Sequence, residues 1–231
     1  MAGLVLAVAV AAFAQGGAGP RSAQPAGRTQ NKSIHFGDIV LSDYDTAELV
    51  LGKSARAEGR GTTVDFADPN AGRKGRLQAS QITARMVAKS NNAVERIDAV
   101  GNVRFEGSAP ASPSGTQTVR ASGSKGSYQK QKLLLDLDGP VRFFSEQPTP
   151  DGKGRQSVAG RSDAAAYDEG RSVLTLSGNV EATVHTPETP QEGSTFTGDR
   201  VTVDMSERPY KVKITGGRVD IRLKDREPQS R

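Results

Sequence analysis

The feature that most constrains this chain is an internal repeat in which a glycine interrupts an alternating apolar pattern four times. The glycines are Gly101, Gly139, Gly178 and Gly216, and successive glycines are 38, 39 and 38 residues apart. A fixed period of this length is the sign of a repeat architecture, in which each unit is one supersecondary element stacked on the next. We therefore expect four equivalent units, each hinged on its glycine.

Apolar residues fall on alternate positions on both sides of each glycine, which predicts β-strands with one buried face. The residues between them are mostly polar and are expected to face solvent. The fourth unit carries one extra residue, Gly217, which predicts a bulge. The inward positions are Ile97, Ala99, Val103, Phe105, Leu135, Leu137, Val141, Phe143, Leu174, Leu176, Val180, Val212, Ile214 and Val219.

The position of the glycine predicts a bent strand, because glycine inside a strand usually marks a bulge or a sharp bend. Another strand and a turn precede every glycine unit, so each unit reads as a hairpin whose second strand bends and continues. Such bends let a sheet curl into a sandwich or an open barrel. The sequence therefore predicts an all-β fold, a twisted stack of bent antiparallel strands. A weaker half-unit precedes the four repeats, from 47–51 through 63–66.

Segments rich in Pro, Gly, Ser and Thr separate the units and predict long loops that project from the body. These segments are 107–117, 146–155 and 186–194.

The N-terminus predicts export. An apolar run over 4–12 is too short to span a bilayer, and Ala12-Phe13-Ala14 has the pattern of a signal-peptidase site. We expect a signal peptide over 1–14, a disordered linker over 15–33, the β domain over 34–223 and a charged tail over 224–231. No Lys or Arg precedes the apolar run, so retention of this segment as a membrane anchor stays open.

Composition argues against the common enzyme classes. The chain has no cysteine, and its two histidines, His35 and His185, are far apart in sequence. It contains no hydrolase elbow, zinc-protease motif, phosphate-binding loop or dinucleotide fingerprint. We therefore expect no catalytic residue, no metal site and no cofactor. The net charge of +5 is scattered along the chain without a nucleic-acid-binding motif, so no nucleic-acid partner is expected.

The repeats resemble the OstA-like domain shared by the lipopolysaccharide transport proteins LptA, LptC and LptD. The resemblance rests on 82–87 followed by 96–105, and on Gly-Asn-Val at 101–103 and again at 178–180. The matching segments at 139–141 and 216–218 are degenerate, and Thr83-Ala84-Arg85 stands where the family often has Ala-Asp. The resemblance covers roughly 34–223.

This resemblance implies a β-jelly roll in the periplasm that shelters the acyl chains of lipopolysaccharide in an apolar groove. The inward residues then become candidates for the groove lining. The family also joins end to end by pairing edge strands, which implies LptC, LptD and further copies of the chain as partners. Cations that could meet lipid phosphates near the groove mouth are Arg104, Arg142, Lys211 and Arg218.

Two other functions remain open from the sequence. One is a membrane-anchored, LptC-type partner of the lipopolysaccharide export transporter, in the inner membrane and facing the periplasm. The other is a structural or glycan-binding β-repeat protein whose core is filled by its own side chains.

Overall fold

The computed structural model describes residues 32–68, 70–87, 93–111, 115–149, 152–187, 189, 193–206 and 210–220. The predicted signal peptide, most of the linker and the charged tail lie outside these residues. Val219 is described by its backbone alone. Within the described ranges, no helix is long and apolar enough to cross a membrane.

Twelve β-strands form one antiparallel sheet, which confirms the predicted all-β fold. The strands lie in chain order across the sheet, except that β3 pairs beside β2 on β4. One 3₁₀ turn, Lys130–Lys132, joins β7 to β8. The strands are β1 (Ser33–Phe36), β2 (Ile39–Ser42), β3 (Thr46–Val50), β4 (Ser54–Asp68), β5 (Arg73–Met86), β6 (Val94–Pro110), β7 (Thr116–Gln129), β8 (Leu134–Pro148), β9 (Arg155–Asp168), β10 (Val173–His185), β11 (Ser194–Asp204) and β12 (Lys211–Asp220).

The long strands bend along one line, here called the corner, which crosses the sheet at the repeat glycines. Gly101, Gly139, Gly178 and Gly216 all have positive φ angles, between 65° and 90°. The pairing register shifts at the first three, and at the fourth the ladder skips from Gly217 to Thr215. Positive φ is accessible to glycine at little cost, which explains why this residue recurs there.

The corner divides the sheet into two arms. Arm A contains β1, β2 and the halves of the long strands that include 62–68, 103–110, 116–123, 141–148 and 180–185. Arm B contains β3 and the halves that include 54–58, 94–100, 125–129, 134–138 and 173–177. The apolar faces of the two arms meet, and the buried hydrophobic residues of both form one continuous core.

The first two predicted long loops are wrong in extent. Residues 107–110 and 116–117 of the first, and 146–148 and 155 of the second, are strand, whereas Ser194 is the one strand residue among the described residues of the third. Thr149 and Thr189 are buried, so these connections pack against the body. Composition suggested loops because Gly, Ser and Pro are frequent there, but ladder pairing with the neighbouring strand outweighs that local preference.

Substitution at the corner tests the role of the glycines. A Cβ on Gly139 would lie 2.7 Å from the Cβ of Ser124 on the neighbouring strand, at a φ of 90°. Gly152 has a similar φ of 69° but open space around it. We expect Gly152→Ala to lower the free energy of unfolding by about 1–2 kcal/mol through backbone strain alone. Gly139→Ala should cost at least about 1 kcal/mol more, because it adds a steric clash.

Urea unfolding followed by circular dichroism measures both values. Adding Ser124→Gly to Gly139→Ala removes the clash and should bring the cost down to that of Gly152→Ala. Equal losses of unfolding free energy in the two single variants would show that a side chain at the corner costs no more than one at an open turn.

Candidate functional site

The candidate groove residues line the space between the arms. From Ile97 to Val180, every one of them is at most 4% exposed. Val212 and Ile214, on the last strand, are partly buried and pack against the same core. The structure therefore brings the sequence-selected residues together on one continuous apolar surface, and this surface is covered.

The cover is the opposite arm. Leu176 of arm B reaches across to Gly160 of arm A, where a Cβ would lie only 2.6 Å from the Leu176 Cδ1. Glycine at this inward position leaves room for the leucine, so the two arms approach closely. The interior is thus a packed double layer along the repeats rather than an open trough.

Aromatic rings join the arms at their free ends, away from the corner. Tyr128 of arm B stacks on Phe66 of arm A with ring centroids 4.7 Å apart, and it lies 6.0 Å from Phe105. Phe143 of arm A and Tyr167 of arm B form a second pair at 5.6 Å. Such pairs contribute about 0.5–1.5 kcal/mol each beyond their buried area. We call this end of the molecule, where the free ends of the arms meet, the mouth.

Hydrogen bonds tie the arms together beside these rings. The Gln117 side-chain amide of arm A donates to the Tyr167 hydroxyl at 3.1 Å. Gln147 of arm A donates to the carbonyl of Met205 at 3.0 Å. Both glutamines are buried, so breaking these bonds without replacement would leave polar groups unsatisfied.

The turn between β1 and β2 makes a third polar connection between the arms. One carboxylate oxygen of Asp38 accepts the backbone N–H of Val94 at 3.2 Å, and the other forms an ion pair with Lys130. Both partners belong to the arm B side of the mouth. The short N-terminal hairpin therefore folds over the opening.

Glu169 reaches into the mouth from the turn between β9 and β10. It accepts a hydrogen bond from the Tyr128 hydroxyl at 3.2 Å and lies 3.4 Å from the Arg73 guanidinium. Burial raises its pKa above the ordinary value, while Arg73 and Tyr128 offset part of that increase. Burial also raises the pKa of Tyr128, whose hydroxyl therefore stays protonated.

A small cavity of about 60 Å³ remains between the arms at the mouth. Phe66, Phe105, Tyr128 and Tyr167 line it, with Glu169 at its edge. It has room for about two water molecules at the density of liquid water. A wider, open groove of about 560 Å³ adjoins it and shares Phe66 and Lys74 with it. The mouth is the place where the packed interior comes closest to solvent.

Arg104, Arg142, Lys211 and Arg218, the four cations predicted near the groove mouth, are all exposed. Arg104 and Arg142 alternate with inward residues and so point to the outer face of arm A. The alternation in the sequence also places these two arginines outward. Within the described residues, no group of three His, Cys, Asp or Glu could hold a metal ion.

The residues that close the mouth were not selected from the sequence. Tyr128 and Tyr167 are one repeat apart, 39 residues, and each ends the strand before a turn. The recurrence of tyrosine at this position of the repeat was the sequence feature that could have identified these two residues. Glu169, Gln117 and Arg73 carried no such signal, because their partners lie in other repeats and become neighbours only when the arms close.

Comparison with solved structures gives a structural likeness. No family model matches the chain, and no curated protein matches it. A crystal structure of LptH, the LptA homologous periplasmic component of the lipopolysaccharide transport device of Pseudomonas aeruginosa, matches with a TM-score of 0.48 and 14% identity. The match covers 66% of this chain and 98% of that one. A score and identity this low carry no weight for function.

The buried position of Glu169 gives a pH prediction. A folded-state pKa above the unfolded value means that the folded protein holds this proton more tightly, so its contribution to stability is greatest at low pH. That contribution is lost as the pH rises through the folded pKa. We expect the free energy of unfolding of the parent chain, relative to Glu169→Gln, to fall as the pH rises above about 4.3, the ordinary pKa of a glutamate carboxyl.

Urea unfolding of both chains at increasing pH measures the difference. Tyr128→Phe removes a hydrogen bond that favours the carboxylate, so it should steepen the fall. A difference that is constant with pH, or that grows as pH rises, would contradict the assignment.

Proposed function

We propose that the protein is a non-enzymatic periplasmic carrier that holds the acyl chains of lipopolysaccharide between its two arms. The observation that supports this most is the continuous apolar lining, which passes through successive strands from β4 to β11 on both arms and reaches β12 on arm B. The Gly-Asn-Val repeats that resemble OstA-like domains stand at the corner of the same sheet. Such a lining suits a ligand with several long apolar chains.

Loading requires the arms to part, because the lining residues are covered by each other. Loading replaces protein–protein apolar contacts with protein–acyl contacts, so little apolar surface is exposed to water once the lipid is bound. Burial contributes about 0.8 kcal/mol per methylene, or about 10 kcal/mol for a chain of twelve. The aromatic pairs and the few hydrogen bonds at the mouth are then the contacts to be broken.

We also propose that the sheet edges join this protein to partners with OstA-like domains, of the LptC and LptD type, or to further copies. β12 is the last strand at one end of the sheet, and its outer edge is unpaired within the described residues. At the other end, the outer edges of β1 and β3 are unpaired within the same residues. The β3 region exposes Leu49, Val50 and Leu51. Exposed apolar residues on an unpaired edge favour addition of a partner strand.

Two alternatives follow from specific observations. The near-complete burial of the lining favours a β-repeat scaffold with a filled core, in which the interior never takes a ligand. The apolar run over 4–12, which lies outside the described residues, suits an anchored LptC-type role as well as a cleaved signal peptide. N-terminal sequencing of the exported protein separates the anchored chain from a chain cut after Ala14.

Photo-crosslinking separates the carrier from the scaffold. Phe143 of arm A faces inward, and Thr175 of arm B faces the outer side of its strand. Replacing each in turn with p-benzoylphenylalanine places the same photoreactive group inside and outside the sheet. In cells that make lipopolysaccharide, we expect a crosslink to lipopolysaccharide from position 143 and at least tenfold less from position 175.

The unfolding midpoint of each labelled protein checks that it folds. If position 143 folds normally and gives no crosslink, or if both positions crosslink equally, the carrier proposal fails and the filled scaffold is favoured.

A further inference from the structure

The outer face of arm A carries a row of arginines that the proposed carrier function does not use. Register pairing places Arg104 opposite Ser122, and Ser122 opposite Arg142, on three adjacent strands. Arg161 follows opposite Arg142 on the next strand. Residues in register on antiparallel neighbours share a face, so all four lie side by side on the surface away from the interior.

The row forms a slot because its middle residue is small. Arg104 and Arg142 are two strand spacings apart, about 9.5 Å between their backbones, with only the serine side chain between them. A shallow groove of about 310 Å³ lies here, and both arginines and Ser122 line it. Arg120 closes one side, and the half-buried ring of Phe144 lies next to it. We call this feature the arginine slot.

The charges of the arginine slot are not balanced. Arg120 has a carboxylate partner in Glu106, although their atoms are 3.7 Å apart. Arg104 and Arg142 form no ion pair with any residue that the structure describes. Three arginines and one glutamate line the groove, which leaves two positive charges in excess. The slot therefore attracts an anion that carries about two negative charges.

We propose that the arginine slot binds a phosphate group. A guanidinium presents paired N–H donors that match two oxygens of an oxyanion, and arginine is favoured wherever phosphate is recognised in this way. Arg104 and Arg142 approach from opposite sides, and the Ser122 hydroxyl donates from below. Three donors around one point suit a tetrahedral group with at least three free oxygens better than a carboxylate, which has two. The open groove leaves room for the remainder of the phosphorylated molecule.

The proposal does not depend on the interior of the protein, because the slot lies on the opposite face of the sheet. Either a soluble phosphate monoester or the head group of a phospholipid supplies the same chemistry. Glucose 1-phosphate represents the first source. Phosphatidylcholine vesicles that contain phosphatidic acid represent the second, with pure phosphatidylcholine vesicles as their reference.

The test compares two double variants with the same change in charge. Arg104→Gln with Arg142→Gln removes the unpaired cations of the slot. Lys125→Gln with Arg200→Gln removes two exposed cations of arm B, and neither of those residues lines the groove. All four side chains are exposed, so we expect both variants to keep the unfolding midpoint of the parent chain. A third variant, Ser122→Ala, removes the hydroxyl alone.

Titration with inorganic phosphate and glucose 1-phosphate at constant ionic strength, followed by amide NMR shifts, measures binding to each chain. We expect saturable shifts centred on Ser122 in the parent chain. The slot variant should bind at least about tenfold more weakly, since each charge-assisted hydrogen bond contributes 1.5 kcal/mol or more. The arm B variant should bind within about twofold of the parent chain.

Vesicle sedimentation then shows whether the bound phosphate belongs to a lipid head group or to a soluble molecule. Retention on phosphatidic acid vesicles that is lost in the slot variant alone supports the slot and assigns it to a lipid head group. Saturable binding of glucose 1-phosphate without vesicle retention supports the slot and assigns it to a soluble ligand. Equal weakening in both double variants, or no saturable binding of any phosphate probe, would overturn the proposal.

Discussion

The structure depends on the contact between two halves of the same strands. Alternate long strands, β6, β8, β10 and β12, run from arm B through a corner glycine into arm A, and the strands between them run back from arm A to arm B. The inward faces of the two arms therefore lie against each other. A continuous flat sheet of this composition would expose one apolar face along its whole length. The bend removes that face from water without a second sheet or a helical layer, and it explains how a chain with 5% aromatic residues buries a core.

The same contact sets the conditions for any function of the interior. The arms are joined by apolar packing along the repeats and, near the mouth, by the directional contacts of Gln117, Tyr167 and Tyr128. Apolar packing is non-directional and can be exchanged for packing against an acyl chain at small net cost. Hydrogen bonds cannot be exchanged in this way, since acyl chains offer no polar partner. The closed arrangement of the two arms is therefore stabilised mainly by the contacts at the mouth. The apolar contacts of the interior behind the mouth are suited to replacement by contacts with an acyl chain.

The sequence predicted the part of the fold that repeats. The glycine period located the corner, and the alternation around Gly101, Gly139 and Gly178 separated inward from outward residues, because both are local consequences of strand geometry. The upstream half-unit was weak for a local reason. β4 bends at Gly59 and Gly61 without a following Gly-Asn-Val, and it buries Thr62 where the first repeat has Val103. Its register shift between Glu58 and Thr62 nevertheless makes it a further bent strand.

What the sequence could not supply was the relation between repeats. Tyr128 meets Glu169 over 41 residues and Gln117 meets Tyr167 over 50, so no local pattern reports these pairs. The extent to which the interior is filled is likewise a property of the closed arms, since the same Leu, Val and Ala residues suit a trough or a core. The arginine slot also arises from register, because Arg104, Ser122 and Arg142 are separated in sequence but adjacent across three strands.

The central claim is that the two arms part to admit a lipid. The chain has no cysteine, so spin labels attached to cysteines at Thr116 and Gln131 are unique. These exposed residues lie at opposite ends of β7, one on each arm. Pulsed electron–electron resonance measures the distance between the labels with and without lipopolysaccharide. The account predicts a longer distance when lipopolysaccharide is bound. An unchanged distance distribution in a sample shown to contain bound lipopolysaccharide would contradict it.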